Sequence, residues 1–131
     1  MNIALIADDS KKNLMQNFCI AYKRFLNKNE LCAFETTGKL IEEVTNLTIH
    51  KYLARHLGGC RQLGVQIEQN EIDLLIYLRD PLLMRQNQQD INHLILLCDM
   101  HNIPLATNLA SAELLVKLLD RGDLEWREMN K

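Results

Sequence analysis

Short apolar runs alternate along the chain with stretches whose apolar residues recur every three or four positions. The apolar runs predict buried strands over 3–7, 31–34, 47–49 and 72–78, and a last short strand within 103–107. The stretches between them predict helices over 11–26, 39–45, 60–69 and 90–101, and one that begins at Asn108 or Ser111 and runs to about Leu119. Thr36-Thr37-Gly38 and Gly58-Gly59 predict turns between these elements.

The order of these elements predicts the fold class. Strands that alternate with helices form right-handed crossovers and a parallel sheet with helices on both faces. Uninterrupted apolar strands agree with this, because the strands of such a sheet are buried on both faces. We therefore predict an α/β fold, a single doubly wound three-layer domain over 1–131 with a mostly parallel sheet of about five strands.

The C-terminal segment from about 120 to 131 has a different character from the rest of the chain. It is polar apart from Leu124, Trp126 and Met129. We expect it to be either a docked tail or an arm that packs on a neighbouring subunit, with Trp126 as the candidate interface anchor.

Composition and charge argue against several classes of function. Hydrophobic residues make up 47% of the 131 positions, which is enough for a packed core. A formal net charge of -2 argues against nucleic-acid binding, which normally needs a basic excess. No apolar stretch approaches the roughly 20 residues of a membrane span, and the N-terminus lacks the pattern of a signal peptide. We therefore expect a cytoplasmic protein with no nucleic-acid partner and no membrane partner.

The cysteines do not predict a metal site. The chain has four of them, and they form no CxxC pair. No histidine lies beside one at a zinc-ligand spacing. We therefore expect no metal and no cofactor.

Polar residues follow the predicted strands where a parallel α/β sheet binds its ligands, at the carboxyl ends of the strands. These residues are Asp8, Asp9 and Lys12 after the first strand, Thr36, Thr37 and Gly38 after the second, Gly58, Gly59 and Cys60 before the middle helix, and Asp80 after the long strand. The sequence therefore predicts a site at this edge of the sheet.

Thr36-Thr37-Gly38 is the most informative of these groups. Two hydroxyls and the free backbone N–H groups at a helix N-terminus form a cradle for an anion, and Lys12 can add a positive charge. The alternative is that the threonines only cap the helix. Taken alone, these three residues favour capping, and a phosphate-sized site is the alternative that the other groups at this edge of the sheet support.

Several stretches of the chain share their order and spacing with one known family. They are 3–7 with Asp9 and Lys12, then Thr36-Thr37-Gly38, Gly58-Gly59, Ile72-Asp73 with Asp80-Pro81-Leu82, and 102–108. Over about 2 to 115 the chain in this way resembles methylglyoxal synthase and the related domain of carbamoyl phosphate synthetase. The resemblance implies a homo-oligomer, expected to be a hexamer.

The resemblance also implies a reaction. The family's enzyme is a carbon–oxygen lyase that converts dihydroxyacetone phosphate into methylglyoxal and inorganic phosphate. Such chemistry needs a base beside the carbonyl, an electrophile for the enediolate oxygen, and a grip on phosphate. The partners that follow from it are a small phosphorylated metabolite and inorganic phosphate.

Residue by residue, the resemblance assigns roles to positions of this chain. It implies phosphate binding by Lys12, Thr36, Thr37 and Gly38, and substrate binding by Asp9, Gly58 and Gly59. The catalytic candidates are Asp8, Cys60, Asp80, Asn87 and Asp90. Asp80 and Asp90 match the family, Cys60 replaces its proposed base, and Asp8 and Asn87 replace histidines.

Two further departures concern the phosphate end of the site. Ala54 and Arg55 stand where the family has a small phosphate-binding pair, and Phe34-Glu35 stands for Thr-Gly. These changes leave open whether the chain is an enzyme.

Three hypotheses follow. The first is a working synthase whose base is Asp80, Asp90 or a Cys60 thiolate. The second is a catalytically lapsed binding or regulatory module that recognises a small phosphorylated metabolite. The third is thiol chemistry at Cys60, because a predicted helix N-terminus favours the thiolate, and its alternative is an inert cysteine.

Overall fold

The computed structural model describes residues 1–85 and 88–129, apart from the side chains of Met84 and Arg85. The strands are β1 (Asn2–Ala7), β2 (Glu30–Phe34), β3 (Ile49–Tyr52), β4 (Leu74–Leu78) and β5 (Leu105–Ala106). The helices are α1 (Lys12–Ala21), α2 (Lys23–Leu26), α3 (Glu35–Thr45), α4 (Gly59–Glu68), α5 (Gln89–Met100), α6 (Leu109–Asp120) and α7 (Trp126–Met129). Short 3₁₀ turns cover Asp9–Lys11, Arg55–Leu57 and Pro81–Arg85. None of the helices in the described ranges is long and apolar enough to cross a bilayer.

The five strands form one parallel sheet in the order β3-β2-β1-β4-β5. Ile3 of β1 pairs with Leu31 of β2 on one side and with Leu74 of β4 on the other. The chain builds outward from β1 through β2 to β3, and then crosses to β4 and β5. The strand order therefore reverses between β1 and β4, and an open α/β sheet binds its ligands beside such a reversal.

Helices cover both faces of the sheet, because successive residues of each strand point to opposite sides. Ile3 and Leu5 pack with helices α1, α2, α3 and α6, whereas Ala4 and Ile6 pack with α4 and α5. Both faces are buried, which explains the uninterrupted apolar strands. The predicted α/β three-layer fold with a parallel sheet of five strands is confirmed.

The predicted helix over 11–26 is divided into α1 and α2, the predicted strand over 72–78 begins at Leu74, and the starts of α3 and β3 also differ from those predicted. Helix α3 begins at Glu35, so the predicted turn Thr36-Thr37-Gly38 forms its first helical residues. Phe34 ends β2 in an extended conformation and is also the N-cap of α3, so no separate loop is needed. Strand β3 begins at Ile49 instead of 47, because the N–H of Leu47 donates to the hydroxyl of Thr45 at 3.1 Å.

The C-terminal segment docks on its own chain through Arg127, which is buried. Its guanidinium donates to the carbonyl of Asn102 at 2.8 Å and to the side chain of Asn70 at 2.9 Å. It also lies 3.4 Å from the carboxylate of Asp73, which in turn accepts the backbone N–H of Asn2 at 2.8 Å. The buried ion pair thus joins α7 to the amino ends of β1 and β4, as in the docked-tail alternative.

We predict that Arg127→Ala lowers the free energy of unfolding by about 3–5 kcal/mol, because it removes one partner of a buried ion pair. Urea unfolding followed by far-UV circular dichroism measures the change. The matched control is Arg121→Ala, which removes a guanidinium whose side chain is 73% exposed and pairs with Asp123, and such pairs contribute about 0–1 kcal/mol. Equal effects of the two substitutions would contradict the docking role of Arg127.

Candidate functional site

A cleft of about 240 Å³ opens at the carboxyl ends of the strands. Its described lining is Ile6, Ala7, Asp8, Asp9, Lys12, Phe34, Thr36, Thr37, Ala54, Arg55, His56 and Leu83. These residues come from the ends of β1 and β2, from the starts of α1 and α3, and from the 3₁₀ turns after β1, β3 and β4. The cleft brings together five of the twelve residues that the sequence predicted for the site, Asp8, Asp9, Lys12, Thr36 and Thr37, and adds Arg55 and His56.

One side of the cleft suits an anion. Thr36 and Thr37 lie in the first turn of α3, and among the described residues no side chain caps this helix. The alternative that the threonines cap the helix is therefore wrong. Lys12 lines the same cleft with its ammonium 2.9 Å from the carboxylate of Asp9. A helix N-terminus beside a cation attracts anions of phosphate size.

Two predicted members of this side lie in different surroundings. Asp9 has a side chain that is 96% exposed, and its hydrogen bond with Lys12 holds the pKa of the carboxyl below its usual range. Gly38 is buried against β3, where an added Cβ would meet the side chain of Lys51 at 2.9 Å. The glycine thus allows α3 to pack closely on β3, and its contact with phosphate stays a prediction.

The opposite side of the cleft holds an ion pair that the sequence did not reveal. Arg55 donates from Nε and Nη2 to the carboxylate of Asp90, at 2.7 and 2.9 Å. Its Nη1 lies 3.9 Å from the carboxylate of Asp8. The Arg55 hydrogen bond holds the pKa of Asp90 well below its usual range, against the opposing effect of burial. The Arg55 guanidinium is thus the shared counter-ion of two carboxylates, Asp8 after β1 and Asp90 of α5.

Arg55 was not among the predicted site residues, although the sequence contains a signal for it. An arginine stands where the resemblance implies a small residue, and such a change places a full charge beside the other members of the site. Its position on the turn after β3 could not be read from periodicity, because 53–58 carries no regular pattern of apolar residues.

Asp8, which follows β1, is held by hydrogen bonds from β4 and from the residues after it, where the strand order reverses. Its carboxylate accepts the hydroxyl of Tyr77 at 3.0 Å and the backbone N–H of Asp80 at 2.7 Å. Burial, and after it the charge of Asp8, raises the pKa of Tyr77. The Tyr77 hydroxyl therefore stays protonated and donates to Asp8, so that the side chain that follows β1 is fixed by groups of β4 and the residues that follow it.

Cys60 lies beside Asp90 near the start of α4. Its Sγ donates to the Asp90 carboxylate at 3.5 Å. Burial, followed by the charge of Asp90, raises the pKa of the thiol to about 12. This corrects the expectation that the helix N-terminus would favour a thiolate, because desolvation and a neighbouring carboxylate outweigh the helix dipole.

The paired glycines shape the turn that carries Arg55 and Cys60. Gly58 has φ 109°, a left-handed conformation that favours glycine. A Cβ on Gly59 would lie 2.2 Å from the carbonyl oxygen of Leu53, which leaves no room for any other residue. Neither glycine belongs to the described lining of the cleft, so their contact with substrate stays a prediction.

The two remaining catalytic candidates also stay predictions. Asp80 accepts the hydroxyl of Ser10 at 2.8 Å and the N–H of Leu82 at 2.9 Å, and the described lining of the cleft does not include it. The Ser10 hydrogen bond lowers the pKa of Asp80. Asn87 lies outside the described residues. Within the described ranges, no group of three or more histidine, cysteine or acidic side chains could hold a metal ion.

We predict that Cys60 reacts slowly with iodoacetamide at pH 7, at least about tenfold more slowly than a free cysteine, because so little of it is thiolate. Since the pKa is raised to about 12, the rate should keep rising across the pH range in which the protein is folded. Peptide mass spectrometry measures the rate, and the urea-unfolded chain is the control. A plateau in the rate near neutral pH would contradict the raised pKa.

Comparison with known proteins agrees with this geometry. The chain is 58% identical over 129 residues to the methylglyoxal synthase of Caldicellulosiruptor saccharolyticus, covering 98% of this chain and 92% of the relative. It is 52% identical over 131 residues to that of Clostridioides difficile, covering 100% of this chain and 96% of the relative.

A solved structure gives the same result. The crystal structure of methylglyoxal synthase from Elizabethkingia anophelis superposes with a TM-score of 0.78 at 34% identity, covering 88% of this chain and 76% of that one. No protein-family model matches the chain. From the sequence relatives, which extend over nearly the whole chain, and from the shared fold, it follows that this protein belongs to the methylglyoxal synthase family.

Proposed function

We propose that this protein is a carbon–oxygen lyase that converts dihydroxyacetone phosphate into methylglyoxal and inorganic phosphate. The observation that carries the proposal is a carboxylate beside an anion site. Asp90 lies 3.5 Å from the sulfur of Cys60, the position where the resemblance puts the family's base. A phosphate-sized cradle, with Lys12 and the start of α3, lines the neighbouring cleft.

The reaction requires no oxidant or reductant. A base removes a proton from the hydroxymethyl carbon next to the carbonyl, and the electron pair moves to the carbonyl oxygen to give an enediolate. The hydroxyl proton of the enediolate passes to the neighbouring oxygen, and the carbon that carried this hydroxyl becomes an aldehyde carbonyl. The double bond shifts to the far carbon as the bond between that carbon and the phosphate oxygen breaks. Inorganic phosphate leaves, and the enol that remains takes up a proton on carbon to give methylglyoxal.

The phosphate group is assigned to the α3 side of the cleft. Lys12 supplies a positive charge, and Thr36 and Thr37 supply hydroxyls beside the helix N-terminus. These groups favour charge on the leaving phosphate more strongly as the carbon–oxygen bond breaks, which is the direction that catalysis needs.

Asp90 is our choice for the base. A carboxylate is ionised at neutral pH, whereas the Cys60 thiol has a pKa of about 12 and stays protonated. Asp80 is engaged with Ser10 and Leu82. Neither Asp80 nor Asp90 belongs to the described lining of the cleft, but Asp90 is bound to Arg55, which does. The low pKa of Asp90 weakens it as a base as long as Arg55 is its partner, so we expect slow turnover.

A homohexamer in the cytoplasm is part of the same proposal. The support for assembly is apolar surface at the C-terminal helix, where Trp126 is 47% exposed and Met129 is 84% exposed. The support for the cytoplasm is the use of cysteine, which gives unpaired thiols throughout. We likewise retain a single domain over 1–131 as a proposal.

We predict that the purified protein releases methylglyoxal and phosphate in equal amounts from dihydroxyacetone phosphate. Asp90→Asn should lower kcat by about 10²–10⁴, the usual contribution of a general base. Coupled enzymatic assays of both products measure this. The control Glu43→Gln removes an exposed carboxylate of α3 and should leave the rate unchanged.

A second variant makes the assay decisive. Cys60→Asp restores a carboxylate at the position of the family's base and should raise the rate. If neither the unaltered protein nor this variant releases products, the proposed activity is refuted and the binding-module hypothesis takes its place.

A further inference from the structure

The cleft contains the cation Arg55, whose present partner is Asp90, the residue that we propose as the base. Arg55 lines the cleft together with Lys12, and its side chain is 22% exposed. Its Nε and Nη2 edge is occupied by Asp90, whose side chain is 29% exposed. A guanidinium fork binds phosphate with the same bidentate geometry that it uses for carboxylate. An anion in this cleft and Asp90 therefore compete for the same donors.

From this competition we infer that Arg55 is an exchangeable counter-ion that passes from Asp90 to the phosphate of the substrate and thereby releases Asp90 to act as a base. The inference rests on the proposed function for the identity of the substrate and for the role of Asp90. Arg55 acts in it both as a phosphate ligand and as the group that controls the basicity of Asp90.

Charge favours the exchange. A phosphate monoester carries a charge of about −1.5 to −2 at neutral pH and offers three acceptor oxygens, whereas Asp90 carries one charge. Lys12 and the N-terminus of α3 hold the phosphate in the same cleft of about 240 Å³, so the guanidinium moves within one site. Arg55 exchanges its two hydrogen bonds to the Asp90 carboxylate for hydrogen bonds to phosphate oxygens, which are at least as strong.

Asp90 keeps partners after the exchange. Cys60 still donates its S–H at 3.5 Å, and the backbone N–H of Ile91 also bonds the carboxylate. His56 lies 3.7 Å away with a side chain that is 78% exposed. Asp90 therefore keeps hydrogen-bond partners when Arg55 leaves it. A half-buried carboxylate without any partner would be destabilising.

The local backbone allows Arg55 to move. It begins a three-residue 3₁₀ turn between the end of β3 and Gly58, and the next residue, His56, is largely solvent-exposed. The exchange requires a rotamer change of Arg55 that turns the guanidinium from Asp90 towards the α3 side of the cleft.

A double-mutant cycle with inorganic phosphate as the probe tests the exchange without requiring turnover. Isothermal titration calorimetry gives the phosphate Kd of the unaltered protein, Arg55→Gln, Asp90→Asn and the double variant. We expect Arg55→Gln to weaken binding about tenfold or more, the value of charge-assisted hydrogen bonds to phosphate. Asp90→Asn should tighten binding about threefold or more with Arg55 present, and much less in the Arg55→Gln background.

The cycle has two outcomes that overturn the inference. Equal tightening by Asp90→Asn in both backgrounds would mean that Asp90 only repels the anion through space. Weaker binding by Asp90→Asn would mean that Asp90 holds Arg55 in place for the anion, without exchange. The double variant replaces both members of the pair with neutral side chains, so it leaves no unpaired charge and should fold. Arg61→Gln, which removes an exposed arginine of α4, should leave the Kd unchanged.

A second readout follows the carboxyl of Asp90 directly. Its carbon-13 resonance, identified by its loss in Asp90→Asn, reports its pKa in the unaltered protein. Within the described ranges, the groups that face this carboxyl are Arg55 and His56 from the 3₁₀ turn and Cys60 from α4. Saturating phosphate should raise the Asp90 pKa much more in the unaltered protein than in Arg55→Gln, where only the through-space charge of the phosphate acts. An equal rise in both proteins would contradict the exchange. This result separates failure of the exchange from failure of the synthase assay, which depends on chemistry that phosphate binding does not need.

Discussion

The cleft has to hold carboxylates and an anion side by side, and this conflict of charge shapes the whole site. The Arg55 guanidinium lies 2.7 Å from the carboxylate of Asp90 and 3.9 Å from that of Asp8, and the substrate that we propose brings a phosphate. Isolated charges of one sign cannot be gathered in a half-buried cleft without counter-ions. Arg55, which contacts Asp90 and lies close to Asp8, is the group that makes the arrangement possible. The low pKa of Asp90 depends first on Arg55, whereas burial and the charge of Asp90 raise the pKa of Cys60.

The fold determines which groups meet in the cleft. The reversal of strand order brings the end of β1 beside the end of β4, where Asp8 accepts hydrogen bonds from Tyr77 and Asp80. The junction of β2 and α3 has no loop, so the first turn of the helix lies directly at the cleft. Gly59 packs against the carbonyl of Leu53 and fixes the course of the turn that carries Arg55. Backbone packing thus sets the distances between charges.

The sequence predicts the fold well because the strands and helices have strong periodic patterns. It also predicts Asp8, Asp9, Lys12, Thr36 and Thr37 at the cleft, since each follows a strand directly. It misplaces the start of α3, because Thr and Gly are typical turn residues and tertiary contacts with β3 override that preference. The sequence did not predict the Arg55–Asp90 pair, since its members are 35 positions apart and Arg55 lies in a segment without regular pattern.

The protonation state of Cys60 shows a similar limit. The position at a helix N-terminus is visible in the sequence and favours the thiolate. Burial and the charge of Asp90 arise only from the folded structure, and together they raise the pKa to about 12. A chemical role inferred from local sequence can therefore be reversed by one long-range neighbour.

The central claim is that this cleft binds phosphate through Lys12 and the start of α3. Calorimetric titration of inorganic phosphate into Lys12→Gln tests it most directly, with Lys39→Gln as the control, since Lys39 pairs with Glu35 on the exposed side of α3. The account predicts one phosphate per chain for the unaltered protein and for the control, and binding at least about tenfold weaker for Lys12→Gln. Equal phosphate affinity of all three proteins would contradict it.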